Sequence, residues 1–292
     1  MSRRLRRTAV LLPPYLWLLA FFALPILVVL AISLADPVTG IPPYTALLEW
    51  PGPRLQADFD NYATLAADPY YLDGFLRSLQ MAGVATLLCL LLGYPMALGI
   101  ARARPDRRLP LLLLLMVPFW TSFLVRTYAW ISILNSNGLI NTALLDLGWI
   151  EAPLPLLHSA FAVYLGLVYA YLPFMVLPIY AVLERQDPAL LEAADDLGAT
   201  PLRAFLTVTL PLSWPGVLAG CMLVLVPSIG EFVIPELLGG SDFLMIGQLL
   251  WTETFQNRDW PRAASITVAL LLLVVLPVLA VQRLAKPREG GA

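Results

Sequence analysis

Six uninterrupted apolar runs, at residues 11–35, 78–100, 109–134, 161–183, 212–234 and 263–281, leave this chain few folds to choose from. Roughly 20 helical residues cross a hydrocarbon core about 30 Å thick, and each run is near or above that length. Unpaired backbone groups are prohibitive in hydrocarbon, and runs this continuous do not match the short alternating segments of a barrel, so helices are required. The composition agrees: of 292 residues, 59% are hydrophobic and 13% charged. A soluble globular chain carries about 25% charged residues. With no fixed-period repeat, low-complexity tract or linker, residues 1–292 read as a single all-α membrane domain with six transmembrane helices.

Basic residues set the orientation. With the amino terminus inside, the cytoplasmic side collects Arg3, Arg4, Arg6, Arg7, Arg102, Arg104, Arg107, Arg108, Arg185, Arg203, Arg283, Lys286 and Arg288. Arg54, Arg77, Arg126, Arg258 and Arg262 fall outside or near the outer face. Thirteen bases against five place both termini in the cytoplasm. The same sorting puts Asp36, Glu49, Asp58, Asp60, Asp68, Asp73, Asp146, Glu151, Glu231, Glu236, Asp242, Glu253 and Asp259 on the outer half, a net of −8 there against −2 for the whole chain. Either the outer entrance favours cations, or acids collect where the positive-inside bias excludes bases. Arg3 to Arg7 precede an apolar run longer than the roughly 7 to 15 residues of a cleaved signal, so the first run reads as an uncleaved anchor.

The loops fit this arrangement. The outer segment from Asp36 to Gly74 is interrupted by Ile41-Pro42-Pro43 and Trp50-Pro51-Gly52-Pro53, which deny it a long regular element and make it a cap. Arg102 to Arg108 form a short basic turn between the second and third runs. The outer loop from Asn135 to His158 has no Lys or Arg; Trp130 and Trp149 sit where an interfacial aromatic belt would place them. Cys89 and Cys221 lie within apolar runs and offer neither a disulfide framework nor metal spacing, and the solitary His158 reads as structural.

One polar island interrupts the fourth and fifth runs. Asp187-Pro188 is a helix start, Gly198 supplies a left-handed stop, and Thr200-Pro201 starts a second helix. Two short cytoplasmic helices are expected, over 188–197 and 201–208, with Leu210-Pro211 turning the chain back into the bilayer. Leu190, Ala193, Ala194 and Leu197 share one face of the first, flanked by Glu192, Asp195 and Asp196. Small alanines on that face admit a partner surface closely; a hairpin lying on anionic headgroups would instead suffer repulsion of its acids.

The order Glu192-Ala193-Ala194, three residues, Gly198, nine residues, Val208, one residue, Leu210-Pro211 resembles the coupling signature of the ABC importer permeases, with Val where that family usually has Ile. Two further segments, Pro118-Phe119-Trp120-Thr121-Ser122-Phe123-Leu124-Val125-Arg126-Thr127-Tyr128-Ala129-Trp130 and Gly230-Glu231-Phe232-Val233-Ile234-Pro235-Glu236-Leu237-Leu238-Gly239-Gly240, resemble the spermidine/putrescine permeases within that family, as do Leu92-Gly93-Tyr94-Pro95 and Leu244-Met245-Ile246-Gly247. The resemblance implies a coupling element over 188–211, in which Glu192 and Gly198 position the loop in the cleft of an ATPase. It also implies a second, homologous permease, two copies of an ATP-binding subunit, and a periplasmic polyamine-binding protein, all in the bacterial inner membrane system, with no nucleic acid. Importers of sulfate, ferric iron, phosphonate or thiamine share the coupling loop, so another small solute stays open.

The residues bear on this directly. No phosphate-binding loop is present, since the single lysine, Lys286, is followed by Pro287, so ATP and Mg²⁺ belong to the partner and this chain binds no cofactor. No nucleophile and base pair stands at convincing spacing, so no enzyme is expected. A flexible polycation needs carboxylates for its ammonium groups and aromatic faces for its methylenes. Glu231, Glu236, Trp120 and Tyr128 supply both, with Arg126 either on the same path or paired with Glu231 as a structural ion bridge. An ion-coupled carrier would instead show intramembrane acidic relays and an inverted repeat, and would have no use for the hairpin.

Overall fold

The structure, a computed structural model, describes residues 3–45, 48–49, 54–55, 58–240 and 243–285. Trp50 to Pro53, Asp242, Lys286 and Arg288 lie outside the described residues. The chain divides into two compact units, residues 1–73 with 248–276, and residues 74–247 with 277–292.

In the first unit, α1 (Arg3–Leu18) passes through a π-turn (Leu19–Ala23) into α2 (Leu24–Ile32). None of the 11–32 span's most apolar window is buried. The outer segment holds a two-residue antiparallel pair, β1 (Leu48–Glu49) with β2 (Arg54–Leu55), then α3 (Asp60–Ala67). Glu253, on the π-turn Thr252–Gln256, is 3% exposed and accepts from Tyr71 Oη at 2.7 Å and Asn257 Nδ2 at 2.9 Å. One carboxylate of the predicted acidic outer half is therefore a satisfied internal group rather than part of an open entrance.

In the second unit, α4 (Pro69–Arg102) leads through the basic turn to α5 (Pro105–Met116), a 3₁₀ turn (Val117–Trp120), α6 (Phe123–Leu134) and α7 (Leu139–Asp146). Next come α8 (Ala160–Leu183), α9 (Ala189–Asp196), α10 (Pro201–Ala204), the π-turn Phe205–Thr209 and α11 (Leu210–Ile229). A π-turn (Pro235–Gly239) precedes α12 (Ile246–Trp251), whose residues from 248 onward belong to the first unit, as does α13 (Trp260–Ala285) through Leu276. The core of the second unit is the α8–α11 pair. A Cβ on Gly216 would lie 2.8 Å from the Pro178 carbonyl oxygen, and one on Gly220 would lie 3.0 Å from that of Met175. Where lipid offers no hydrophobic drive between helices, such small residues let backbones approach and gain dispersion contact. Met175, Ile179 and Val224 are wholly buried there, with Cys89, whose thiol faces the Val168 carbonyl.

Among the described residues, four helices, Leu11–Ile32, Pro69–Arg102, Ala160–Leu183 and Pro201–Ile229, are long and apolar enough to cross a membrane. The predicted run at 109–134 is not one helix. Pro105–Trp120 and Phe123–Asp146 meet at 87°, because Thr121 and Ser122 take extended backbone, with ψ 152° and 138°, after the turn that contains Pro118. If that bent pair forms one span it is the fifth; 260–276 is a shorter apolar helix. The run at 212–234 is also interrupted: α11 stops at Ile229, and Gly230, Glu231 and Phe232 are non-helical. Apolar content continues across both breaks, so hydropathy alone passes over them.

Candidate functional site

The polar island forms the first expected short helix, α9, and starts the second at Thr200, but that second helix runs on past 208 into α11; the turn between them is satisfied locally. Asp187 Oδ1 accepts from the Ala189 amide at 3.0 Å where α9 begins. At its other end Gly198 has φ +78°, its N–H donates to Asp195 O at 2.8 Å, and the Ala199 N–H reaches back to Ala194 O at 3.0 Å. That double bond pattern is a Schellman cap, which requires a left-handed residue at Gly198. Thr200 Oγ1 then accepts from the Arg203 amide at 3.4 Å to start α10. Glu192, Ala193 and Gly198 are exposed and Ala194 is half-buried. Leu197 is 89% exposed and Leu202 68%, so a polar hairpin presents leucines at its tip with nothing among the described residues covering them.

The return leg differs from expectation. Leu210-Pro211 does not turn the chain: helix runs without interruption from Pro201 to Ile229. The reason is the π-turn, in which the Leu210 N–H donates to Phe205 O, five residues back. Pro211 has no N–H to give, so the helix forgoes one bond there and continues. The base of the hairpin is tied by Gln186 Nε2 to Thr209 O at 3.2 Å, and Arg108 meets Glu184 at 3.5 Å.

The second group of predicted residues gathers at the two helix breaks. Glu231 caps the chain beyond α11: its Oε1 accepts from the amides of Val233 at 3.1 Å and Ile234 at 3.4 Å, and Oε2 accepts from Tyr171 Oη at 2.6 Å. Tyr171, not Arg126, is therefore the recorded side-chain partner of Glu231. The Arg126 guanidinium instead lies 5.1 Å from the ring centre of Phe119 and 5.7 Å from that of Phe123, on either side of the 87° bend. Its Nε and Nη1 are buried without a hydrogen-bond partner, so the aromatic faces supply its stabilisation. Trp120 and Tyr128 are 75% and 55% exposed, and Glu236 is exposed. Tyr171 and Phe119 escaped the sequence reading as partners, because pairings across 60 residues or across a bend leave no local pattern.

Residues 6–289 match the family described as the binding-protein-dependent transport system inner membrane component. The chain belongs to this family. The permease is 39% identical over 273 residues to the spermidine/putrescine transport system permease protein PotB of Haemophilus influenzae, covering 92% of this chain and 91% of that protein. It is 43% identical over 227 residues to PotB of Escherichia coli, covering 78% and 82%. Its fold matches a chain in the crystal structure of a bacterial alginate ABC transporter in complex with alginate pentasaccharide-bound periplasmic protein, with TM-score 0.72 at 17% identity over 97% of this chain and 96% of that one. The permease is thus a multi-pass inner-membrane transport subunit of the ABC importer class, not an enzyme.

Proposed function

We propose that this permease conducts a polyamine, putrescine or spermidine, inward through six spans with both termini in the cytoplasm. The observation that carries the cargo is the 39% and 43% identity to two permeases named for spermidine and putrescine. A second, homologous permease completes the pathway, a periplasmic binding protein delivers the cation, and two ATP-binding subunits use ATP and Mg²⁺. Access alternates as the two permeases move relative to each other.

The hairpin at 188–211 is the part that meets an ATPase. Two features support this: the uncovered leucines at its tip, and Asp195 and Asp196 in the last turn of α9. Acids at a helix C-terminus oppose the macrodipole, so their position is explained by a basic partner rather than by helix stability. On the transport path, Glu231 and Glu236 receive ammonium groups while the exposed faces of Trp120 and Tyr128 pack against methylenes. Arg126, held between two phenylalanines, is kept from opposing the cation.

The test is ATP hydrolysis by the reconstituted complex with binding protein loaded with putrescine, spermidine, sulfate or nothing. Stimulation by a polyamine is expected; stimulation only by another solute retains the importer and discards the polyamine. Glu231→Gln should lower polyamine flux more than it lowers complex assembly, and loss of assembly instead would make Glu231 purely a cap.

A further inference from the structure

The return leg of the hairpin is held by a residue of a different helix. Tyr94, on α4, is 8% exposed and reaches α11 across 119 residues of sequence. Its Oη lies 2.8 Å from Ser213 Oγ. Ser213 spends its own proton on Leu210 O, at 2.9 Å. With that hydrogen committed, Tyr94 is the donor in the Tyr94–Ser213 bond. The Tyr94 ring meets Phe205 edge to face, with centroids 5.6 Å apart. One side chain therefore grips both ends of the π-turn: Phe205 at its first residue, and Leu210, just past its last, through Ser213.

The π-turn is the one irregular segment between α10 and α11, and such turns have weaker, wider hydrogen bonding than the α-helices they interrupt. A push on the hairpin would be taken up there unless something braces the turn. The covalent path leads into α8 and α11 and not into α4. We propose that Tyr94 is a positioning residue that makes α4 move with the hairpin, so that displacement by the ATPase reaches α4 as well as α11. Gln186 braces the other side from the end of α8, through Thr209 O. The inference rests on the reading of the hairpin as the ATPase-facing element, and it adds a route by which motion leaves that element.

The chemistry makes a clean test available. Tyr94→Phe keeps the ring on Phe205 and deletes only the donor; the Ser213 hydroxyl stays bonded to Leu210 O, so no buried donor is orphaned. Ser213→Ala removes the same link from the other side, together with the bond to Leu210 O, and leaves the Tyr94 hydroxyl without its acceptor. The experiment reconstitutes the full complex in proteoliposomes with each variant and with the double variant, and measures ATP hydrolysed per solute imported. Because Tyr94→Phe removes one neutral hydrogen bond, the ratio should rise about five-fold in that variant, and at least as much in Ser213→Ala. The double variant should be no worse than Ser213→Ala alone, since the link to Tyr94 is already gone in it. An unchanged ratio in both singles, or additive losses in the double, overturns the proposal. Glu192→Ala runs alongside as the control for the hairpin itself. If it loses stimulated hydrolysis while Tyr94→Phe and Ser213→Ala keep the native ratio, the hairpin reading stands and Tyr94 alone is wrong. If Glu192→Ala hydrolyses and transports normally, the hairpin reading fails and takes this inference with it.

Discussion

The hairpin between α8 and α11 and the break after Ile229 both interrupt helix in a chain built for lipid, yet they are held in opposite ways. Every bond that shapes the hairpin's tip joins residues at most five apart: Asp187 to Ala189, Gly198 to Asp195, Ala199 to Ala194, Thr200 to Arg203. The break depends on distant groups as well. Tyr171 donates to Glu231, and α12 presses its Gly247 against the carbonyl oxygens of Gly230 and Glu231, where a Cβ would come within 2.8 Å. A self-capped element can move as a unit and present itself to another protein. A break held by packing cannot move without disturbing the helices around it.

The largest expected effect is at the hairpin's left-handed residue. Gly198→Pro cannot reach φ +78° and lacks the N–H given to Asp195 O. Both halves of the cap go at once, while no span is altered. Transport should be abolished with membrane insertion and protein level intact, measured by solute uptake and by membrane-fraction immunoblot. Normal uptake would sink the coupling assignment. Gly198→Ala isolates the strain: nothing lies within 4 Å of the added methyl, so only the left-handed penalty of roughly 1–2 kcal/mol remains, and uptake should be reduced rather than lost.

Gly247→Ala is the matching blow to the break. Its methyl would meet backbone on both near contacts rather than a flexible side chain, so α12 or the Gly230–Glu231 segment must shift, at about 1–3 kcal/mol. Because that segment is fastened to the core, the loss should appear in the thermal stability of the purified permease as well as in uptake. Gly198→Ala should leave thermal stability nearly unchanged. If Gly247→Ala lowered uptake without lowering stability, the contrast between the two regions would be wrong.

Tyr171→Phe is a milder version of the same probe. It removes a hydrogen bond to a carboxylate, of the kind worth about 1.5–3 kcal/mol, but leaves the Val233 and Ile234 amides on Oε1. The break should persist with a looser carboxylate. Comparing it with Glu231→Gln separates the charge from the tether: a transport defect in Glu231→Gln alone assigns the charge to the cargo, and equal defects assign the carboxylate to the break.

What could be read from the sequence follows the same division. The hairpin was legible down to Asp187, Gly198 and Thr200 because capping is a rule about neighbours in sequence. The bend at Thr121–Ser122 and the break at Gly230–Glu231 were not, since apolar residues continue through both and hydropathy counts only those. Pro118 and Gly230 were the available signals, but proline is tolerated inside spans wherever neighbours re-satisfy the backbone, as Pro173 and Pro178 within α8 demonstrate. The continuation of helix through Leu210-Pro211 was missed for a related reason: a π-turn has no sequence signature, and Pro reads as a stop. The partner of Glu231 was the hardest. Arg126 was the obvious opposite charge, and the structure gives it two aromatic rings instead.

The smallest effect tests how far the hairpin's autonomy goes. Thr200→Ala deletes the side-chain acceptor of the Arg203 amide, a 3.4 Å bond at an exposed position. An N-cap lost to alanine costs typically about 1 kcal/mol, and the long bond places this one at the low end. The backbone bond from the Ala204 N–H to Thr200 O, at 2.9 Å, survives the change, so α10 should remain, fraying more at its first turn. Hydrogen exchange should quicken at Arg203 with no change in α8 or α11, and uptake should fall by less than half. If exchange quickened along α11 as well, the hairpin would not be a unit with its own caps, and the comparison with the break would lose its basis.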